Sequence, residues 1–192
     1  MRDINTDPVV NRMRRLIRRR VQTMALTPPV SIAALWQALD GKVVSMALRP
    51  SFHAALISVN PPIVAVNANA SEFSQHFALA HELIHVWYHT ETLTACAGYA
   101  YDANPRRAWF EVEANTGAAE LLLPYEWFTV QARTILHAPL ARPELSEFLH
   151  SQEARQWANA ARVSLAVLGW HLQDLGWVID NDNADATTQL PV

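Results

Sequence analysis

Cysteine occurs once in the 192 residues, at Cys96, so no disulfide can close within the chain. A lone thiol fits a reducing compartment, and the protein is expected to be cytoplasmic. Lysine is equally scarce: Lys42 is the only one among 15 basic residues. Arginine in its place, with abundant alanine, is the composition a GC-rich bacterial genome produces. No uninterrupted apolar run of membrane length is present, which argues against a spanning helix. The early arginines followed by VQTMALTPPVSIAALWQAL have the outline of a signal peptide, but Gln22, Thr23, Thr27 and the Pro28-Pro29 pair interrupt its apolar part. Also missing is a strong charge of one sign. A formal charge of -3 at pH 7 gives the molecule no overall field that draws nucleic acid.

What the chain does have is apolar content, 51% of its residues, enough at this length for one sizeable core but not for two full enzyme domains. In RMRRLIRRR, Arg12 to Arg20, Leu16 and Ile17 sit among arginines, as in an amphipathic helix with a solvated basic face. That helix is expected from Val9 to Met24, and a second from Ser31 to Leu39, closed by Gly41. Three β-rich runs follow: KVVSMAL (42–48), AALISV (54–59) and IVAV (63–66), the last two joined by Asn60-Pro61-Pro62. Ser71 with Glu72 in the first turn opens a helix to about His89. Residues 90–103 have no clear period. Asn104-Pro105 then starts a helix that runs to Leu123 and stops at Pro124. The rest is helical up to a polar tail. This order predicts an α+β fold, with a core and N-terminal helices over residues 1–140, a helical segment over 141–180 and a disordered tail over 181–192.

Within the third helix, HFALAHELIHVWYH places His81, Glu82 and His85 in the order H-E-x-x-H. Four helical residues advance about 6 Å and return to nearly the same face, so two imidazoles at that spacing can converge on one ion. Glu82 lies beside them as a general base, able to take a proton from an attacking water and pass it to a leaving amine. A helix that merely contains histidines would show the same letters, so a third ligand must be found. His89 repeats the four-residue step, but it stands about 12 Å from His81 on a straight helix, too far to share an ion. The metzincin pattern fails, because VWYHTETLT lacks its glycine turn and later histidine. The next helix, NPRRAWFEVEANTGAAELLLP, offers Glu111, Glu113 and Glu120. Glu111 shares a face with Asn115, Ala118 and Leu122, whereas Glu113 lines up with Gly117 and Glu120 on what reads as the solvated side. Glu111 is therefore the predicted third ligand, Asn115 a partner that orients a ligand, and zinc the expected metal.

These residues resemble the ImmA/IrrE metallopeptidases of bacteria and their mobile elements. FALAHELIHVWYH is similar to that family's T-L-A-H-E-L-G-H with a histidine four residues on; EVEANTGAAELLLP is similar to its E-x-E-A-N-x-F-A-A-x-L-L-M-P; and TPPVSIAALWQAL is similar to its proline-valine helix start. Together the three span most of the chain from Thr27 to Pro124. Ile84 stands where the family has glycine, Gly117 where it has phenylalanine and Leu123 where it has methionine. The resemblance implies a zincin-like fold, with a small sheet packed on the H-E-x-x-H helix. It also implies a regulatory protease that cuts a helix-turn-helix transcriptional repressor, in mobile-element induction or stress response. It supports Glu111, the first glutamate of the pair, as ligand. The strand IVAV is expected to serve as an edge that holds an extended peptide.

Near the C-terminus, ARQWANAARVSLAVLGWHLQDLG has the outline of a helix-turn-helix, but its second helix opens LAVLGW, without the polar side chains that read bases. Direct DNA binding is not expected. A second function from a different class is a non-catalytic, zinc-containing regulator or toxin-antitoxin component that acts by binding a partner protein. His53, His76, His137, His150 and His171 lack paired spacing and are expected to be ordinary, as is Cys96. Tyr88, His89, Tyr99, Tyr101 and Arg106 are unranked candidates for stabilising the oxyanion. The sequence does not indicate an oligomeric state.

Overall fold

The computed structural model describes residues 7–90 and 105–179. Asp7 caps α1 (Pro8–Thr23), its carboxylate accepting the Val9 N–H at 2.8 Å, and Ser31 caps the short α2 (Ile32–Gln37). Capping by short polar side chains satisfies N–H groups that have no partner inside the helix. The three β-rich runs become β1 (Lys42–Met46), β2 (Ala54–Val59) and β3 (Pro62–Asn67), in the order β1-β3-β2. β3 is parallel to β1 and antiparallel to β2, so Val64 sits between Val43 and Leu56.

That order overturns the expected edge role of IVAV. β3 is the central strand, with both backbone edges paired, and Val64 is fully buried. A short continuous apolar run is what a strand covered on both sides requires. β2 is at the sheet edge and breaks register between Leu56 and Ser58, where Ile57 bulges outward.

On the sheet lies α3 (Glu72–Tyr88), capped by Ser71 and burying Ala80, Leu83 and Ile84. Trp36 of α2 donates its indole N–H to the Leu79 carbonyl at 3.2 Å, which ties the second helix to the third. Next in the described chain is α4 (Pro105–Leu122), packed between α3 and α1. Gly117 marks its closest approach to α3: a Cβ there would lie 3.0 to 3.1 Å from three side-chain atoms of Ile84.

The C-terminal part comprises α5 (Tyr125–Leu136), β4 (Leu140–Ala141), α6 (Arg142–His150), α7 (Gln152–Ala161), α8 (Leu165–Asp174) and β5 (Val178–Ile179). β4 and β5 pair in parallel, a two-residue ladder too short for any sequence period to announce. The turn between α7 and α8 is made by Arg162 in the left-handed region, after which Ser164 caps α8. α8 turns Val167, Leu168, His171 and Leu172 inward. Val167, Leu168 and Leu172 join Ile17, Trp36, Ile84, Leu121 and Trp157 in one hydrophobic cluster, so residues from both parts of the chain share a core. Among the described residues no helix is long and apolar enough to cross a membrane.

Three arginines of α1 are drawn into the molecule rather than solvated. Arg14 is buried and pairs with Asp174 at 3.2 Å; Arg18 reaches Glu120 at 2.8 Å while stacking on Tyr125; and Arg20 covers the Trp87 ring. Arg12, Arg15 and Arg19 form the exposed face. His76 of α3 has Nδ1 2.9 Å from the Arg162 carbonyl and Nε2 3.0 Å from that of Val30, linking the α7–α8 turn to the segment before α2.

Candidate metal centre

Two turns of α3 and one of α4 build the site. His81 and His85 meet with their Nε2 atoms 3.0 Å apart, and Glu111 brings Oε2 to 3.1 Å from His81 Nε2 and Oε1 to 3.5 Å from His85 Nε2. One ligand atom from each of the three lies within 4.8 Å of the others, a group able to hold a metal ion. Glu111 keeps 58% of its side chain exposed, so its face is open cleft wall rather than the buried stripe that the helical phase suggested. Asn115, one turn on, places Oδ1 2.9 Å from His81 Nδ1.

The other two glutamates of α4 do not sit on a solvated side. Glu120 is only 1% exposed and is paired with Arg18; Glu113 is 13% exposed, with Oε2 3.0 Å from His89 Nε2. The reason is tertiary: α4 is covered by α3 on one flank and α1 on another, so helical phase alone does not separate inside from outside. The one available signal was the arginine-rich first helix, which needs buried acidic partners once its inner face is packed.

The electrostatics follow from this crowding. When protonated on Nε2, His81 and then His85 hydrogen-bond the Glu111 carboxyl and hold it well below the usual carboxylate range; the neutral imidazoles, with that hydrogen absent, present the same atoms as ligands. Burial by itself would lower His81, but the Glu111 hydrogen bond and the charges of Glu82 and Glu111 outweigh it and raise the imidazole. Glu82 is pushed up by burial, against the pull of His81, His85 and a backbone hydrogen bond with Leu56. That last contact sets β2 beside the general-base candidate. His89 is lowered to about 4, first by burial and then by the charge of His85, so its contact with Glu113 is a neutral N–H donating to the carboxyl rather than an ion pair.

Of the oxyanion candidates, His89 is engaged by His85 and Glu113, and Tyr88 by Arg20. Tyr99, Tyr101 and Cys96, with the side chain of Arg106 and the polar tail, lie outside the described residues. A cleft of about 200 Å³ adjoins the site, lined by Phe77, Val112, Asn115, Val167 and Trp170 among others.

Residues 43–169 match the family model of Peptidase M78, the IrrE N-terminal-like domain. The chain belongs to this family. It is a metallopeptidase family, and the His81, His85 and Glu111 group gives this member a site able to hold its metal. Among solved structures, a Mycobacterium tuberculosis transcriptional regulator is similar, with a TM-score of 0.62 at 13% identity, over 86% of this chain and 47% of that one. The chain thus spans about half of the regulator's length, and at that identity the likeness concerns the fold. Comparison with curated proteins gives no match.

Proposed function

We propose that this protein is a zinc-dependent endopeptidase of the gluzincin-like kind, with His81, His85 and Glu111 as metal ligands and Glu82 as general base. The observation that carries the reading is the convergence of two imidazole Nε2 atoms and a carboxylate with no apolar side chain between them. Two imidazole nitrogens and a carboxylate oxygen this close share either a proton or a metal cation, and two nitrogens with one oxygen suit zinc with one position open. Zinc, when bound, supplies Lewis acidity toward a peptide carbonyl. The remaining work belongs to the chain. Glu82, buried and adjacent to both histidines, takes a proton from the attacking water and returns it to the leaving amine. β2, at the sheet edge and in contact with Glu82 through Leu56, offers backbone groups to an extended substrate.

The substrate favoured is a protein, a helix-turn-helix repressor whose cleavage relieves repression. This rests on the family membership and on the motif resemblance described above. α8 does not favour a DNA-reading role, since the residues at its start that are not buried are the apolar Leu165 and Ala166 rather than polar side chains that read bases. We place the protein in the cytoplasm on its cysteine usage.

The test uses wild type and Glu82→Gln, with metal content by elemental analysis and cleavage of the repressor encoded nearest the gene followed by mass spectrometry. The expected result is near-stoichiometric zinc in both and a cut only by wild type, the variant falling by at least about 100-fold. Zinc in both, with the partner bound but never cut, would favour the non-catalytic regulator instead.

A further inference from the structure

His81 and His85 stand on successive turns of α3 and His89 caps its C-terminal end, the outermost of three imidazoles in a row and the one that ends on a carboxylate. His85 Nδ1 lies 2.9 Å from His89 Nδ1, and His89 Nε2 lies 3.0 Å from Glu113 Oε2. His85 and His89 are both buried, and Phe110 packs against the His89 ring at 4.7 Å between centroids. His89 and Glu113 play no part in the ligand set itself.

The proton positions along this chain follow from what each atom can do. The Glu113 carboxylate only accepts, so His89 carries its hydrogen on Nε2 and donates it there. A neutral imidazole has one N–H, which leaves His89 Nδ1 bare and able only to accept. His85 must then donate from Nδ1, and its Nε2 is left bare, facing His81 Nε2 and Glu111. A bare Nε2 is what a metal ligand must present. On the other branch, Asn115 Oδ1 does the same for His81 in a single step.

Resting on the metal reading above, we infer that His89 and Glu113 are positioning residues for the metal centre. They form a two-step relay that fixes the tautomer and ring orientation of His85. His85 is buried, and the acceptor its Nδ1 meets inside the protein is the first member of the relay. Phe110 holds the middle ring in place, and Glu113 sets the direction of every hydrogen bond. Partners of this kind are worth about 10- to 100-fold in metal affinity.

The experiment measures zinc affinity by competition with a chromophoric chelator for wild type, His89→Phe, Glu113→Ala, Glu113→Gln and the His89→Phe/Glu113→Ala double variant. Thermal unfolding of each metal-free protein serves as the control for folding, and the visible spectrum of the cobalt(II) form reports on ligand geometry. Loss of either residue is expected to weaken zinc by about 10- to 100-fold and to shift the cobalt spectrum. The double variant should be no weaker than His89→Phe, because Glu113 acts through His89. Glu113→Gln, which keeps an acceptor oxygen, should recover part of the loss. Affinities within about twofold of wild type, or losses that add in the double variant, would overturn the relay. If His89→Phe does not fold, the Glu113 pair decides. A wild type that binds no zinc would overturn the metal reading and the relay with it, an outcome distinct from normal wild-type binding with unaffected variants.

Discussion

Replacing Gly117 with alanine is normally a gain within a helix, about 1 kcal/mol in alanine's favour. Here the new Cβ would meet Ile84 Cγ1 at 3.0 Å and Cδ1 and Cγ2 at 3.1 Å. Comfortable carbon contacts are about 3.5 to 4.0 Å, so three atoms overlap at once by about half an ångström. Ile84 is fully buried between α3 and α4 and has nowhere to retreat. Overpacking of this kind costs about 1–3 kcal/mol. Set against the propensity gain, Gly117→Ala should destabilise by about 1 kcal/mol, lowering the midpoint by about 2–4 °C for a chain of this size. In an Ile84→Ala background all three clashing atoms are gone, and the same change should stabilise by about 1 kcal/mol, from propensity and from filling the space left behind. The coupling between the two positions is thus about 2 kcal/mol. Urea unfolding of the four metal-stripped proteins measures it. If Gly117→Ala stabilises in both backgrounds, the close approach does not constrain the helix pair and the reasoning fails. The spacing matters beyond stability, because it carries Glu111 to within 3.1 Å of His81.

Other expectations follow from the same geometry. His171 is fully buried, donates to the Leu123 carbonyl and is lowered to about 3, chiefly by burial. The unfolded chain takes up a proton near pH 6.5 that the folded one refuses, so this residue removes stability as pH falls from about 6.5 toward 3, on the order of 1 kcal/mol per pH unit. His171→Leu should flatten that part of a stability-versus-pH curve, and an unchanged slope would show the group is not held neutral. A proline at Ile57, on the exposed bulge of the edge strand, should raise KM for a peptide substrate with zinc content unchanged; loss of zinc would make β2 purely structural. The same change at Val64 should instead disrupt the sheet, since that strand is paired on both sides. Stripping the metal with a chelator should lower the midpoint by about 5–10 °C when compared with protein in zinc at 100 times its dissociation constant, which contributes about 2.7 kcal/mol. No shift on removal and return of zinc would mean that the folded state does not bind it.

The sequence by itself determined the local elements and the candidate ligands. The helix start at Ser71, the stop at Pro124 and the three β-rich runs appear close to where the sequence places them, because these signals act over a few residues. The H-E-x-x-H spacing placed His81 and His85 together because helix geometry is fixed; Glu111 does face them, but from an open wall and not from the buried stripe by which helical phase selected it. Only the tertiary structure decided what covers each element. It put β3, expected at an edge, in the centre of the sheet, drew Arg14 and Arg18 inward to Asp174 and Glu120, and turned Glu113 toward His89. Ile84 and Gly117 look like two separate departures from the family pattern, yet they are one contact, a large residue exchanged for a small one across the same gap. Periodicity states which side chains share a face. It cannot state which neighbour arrives at that face, because that depends on packing between elements distant along the chain.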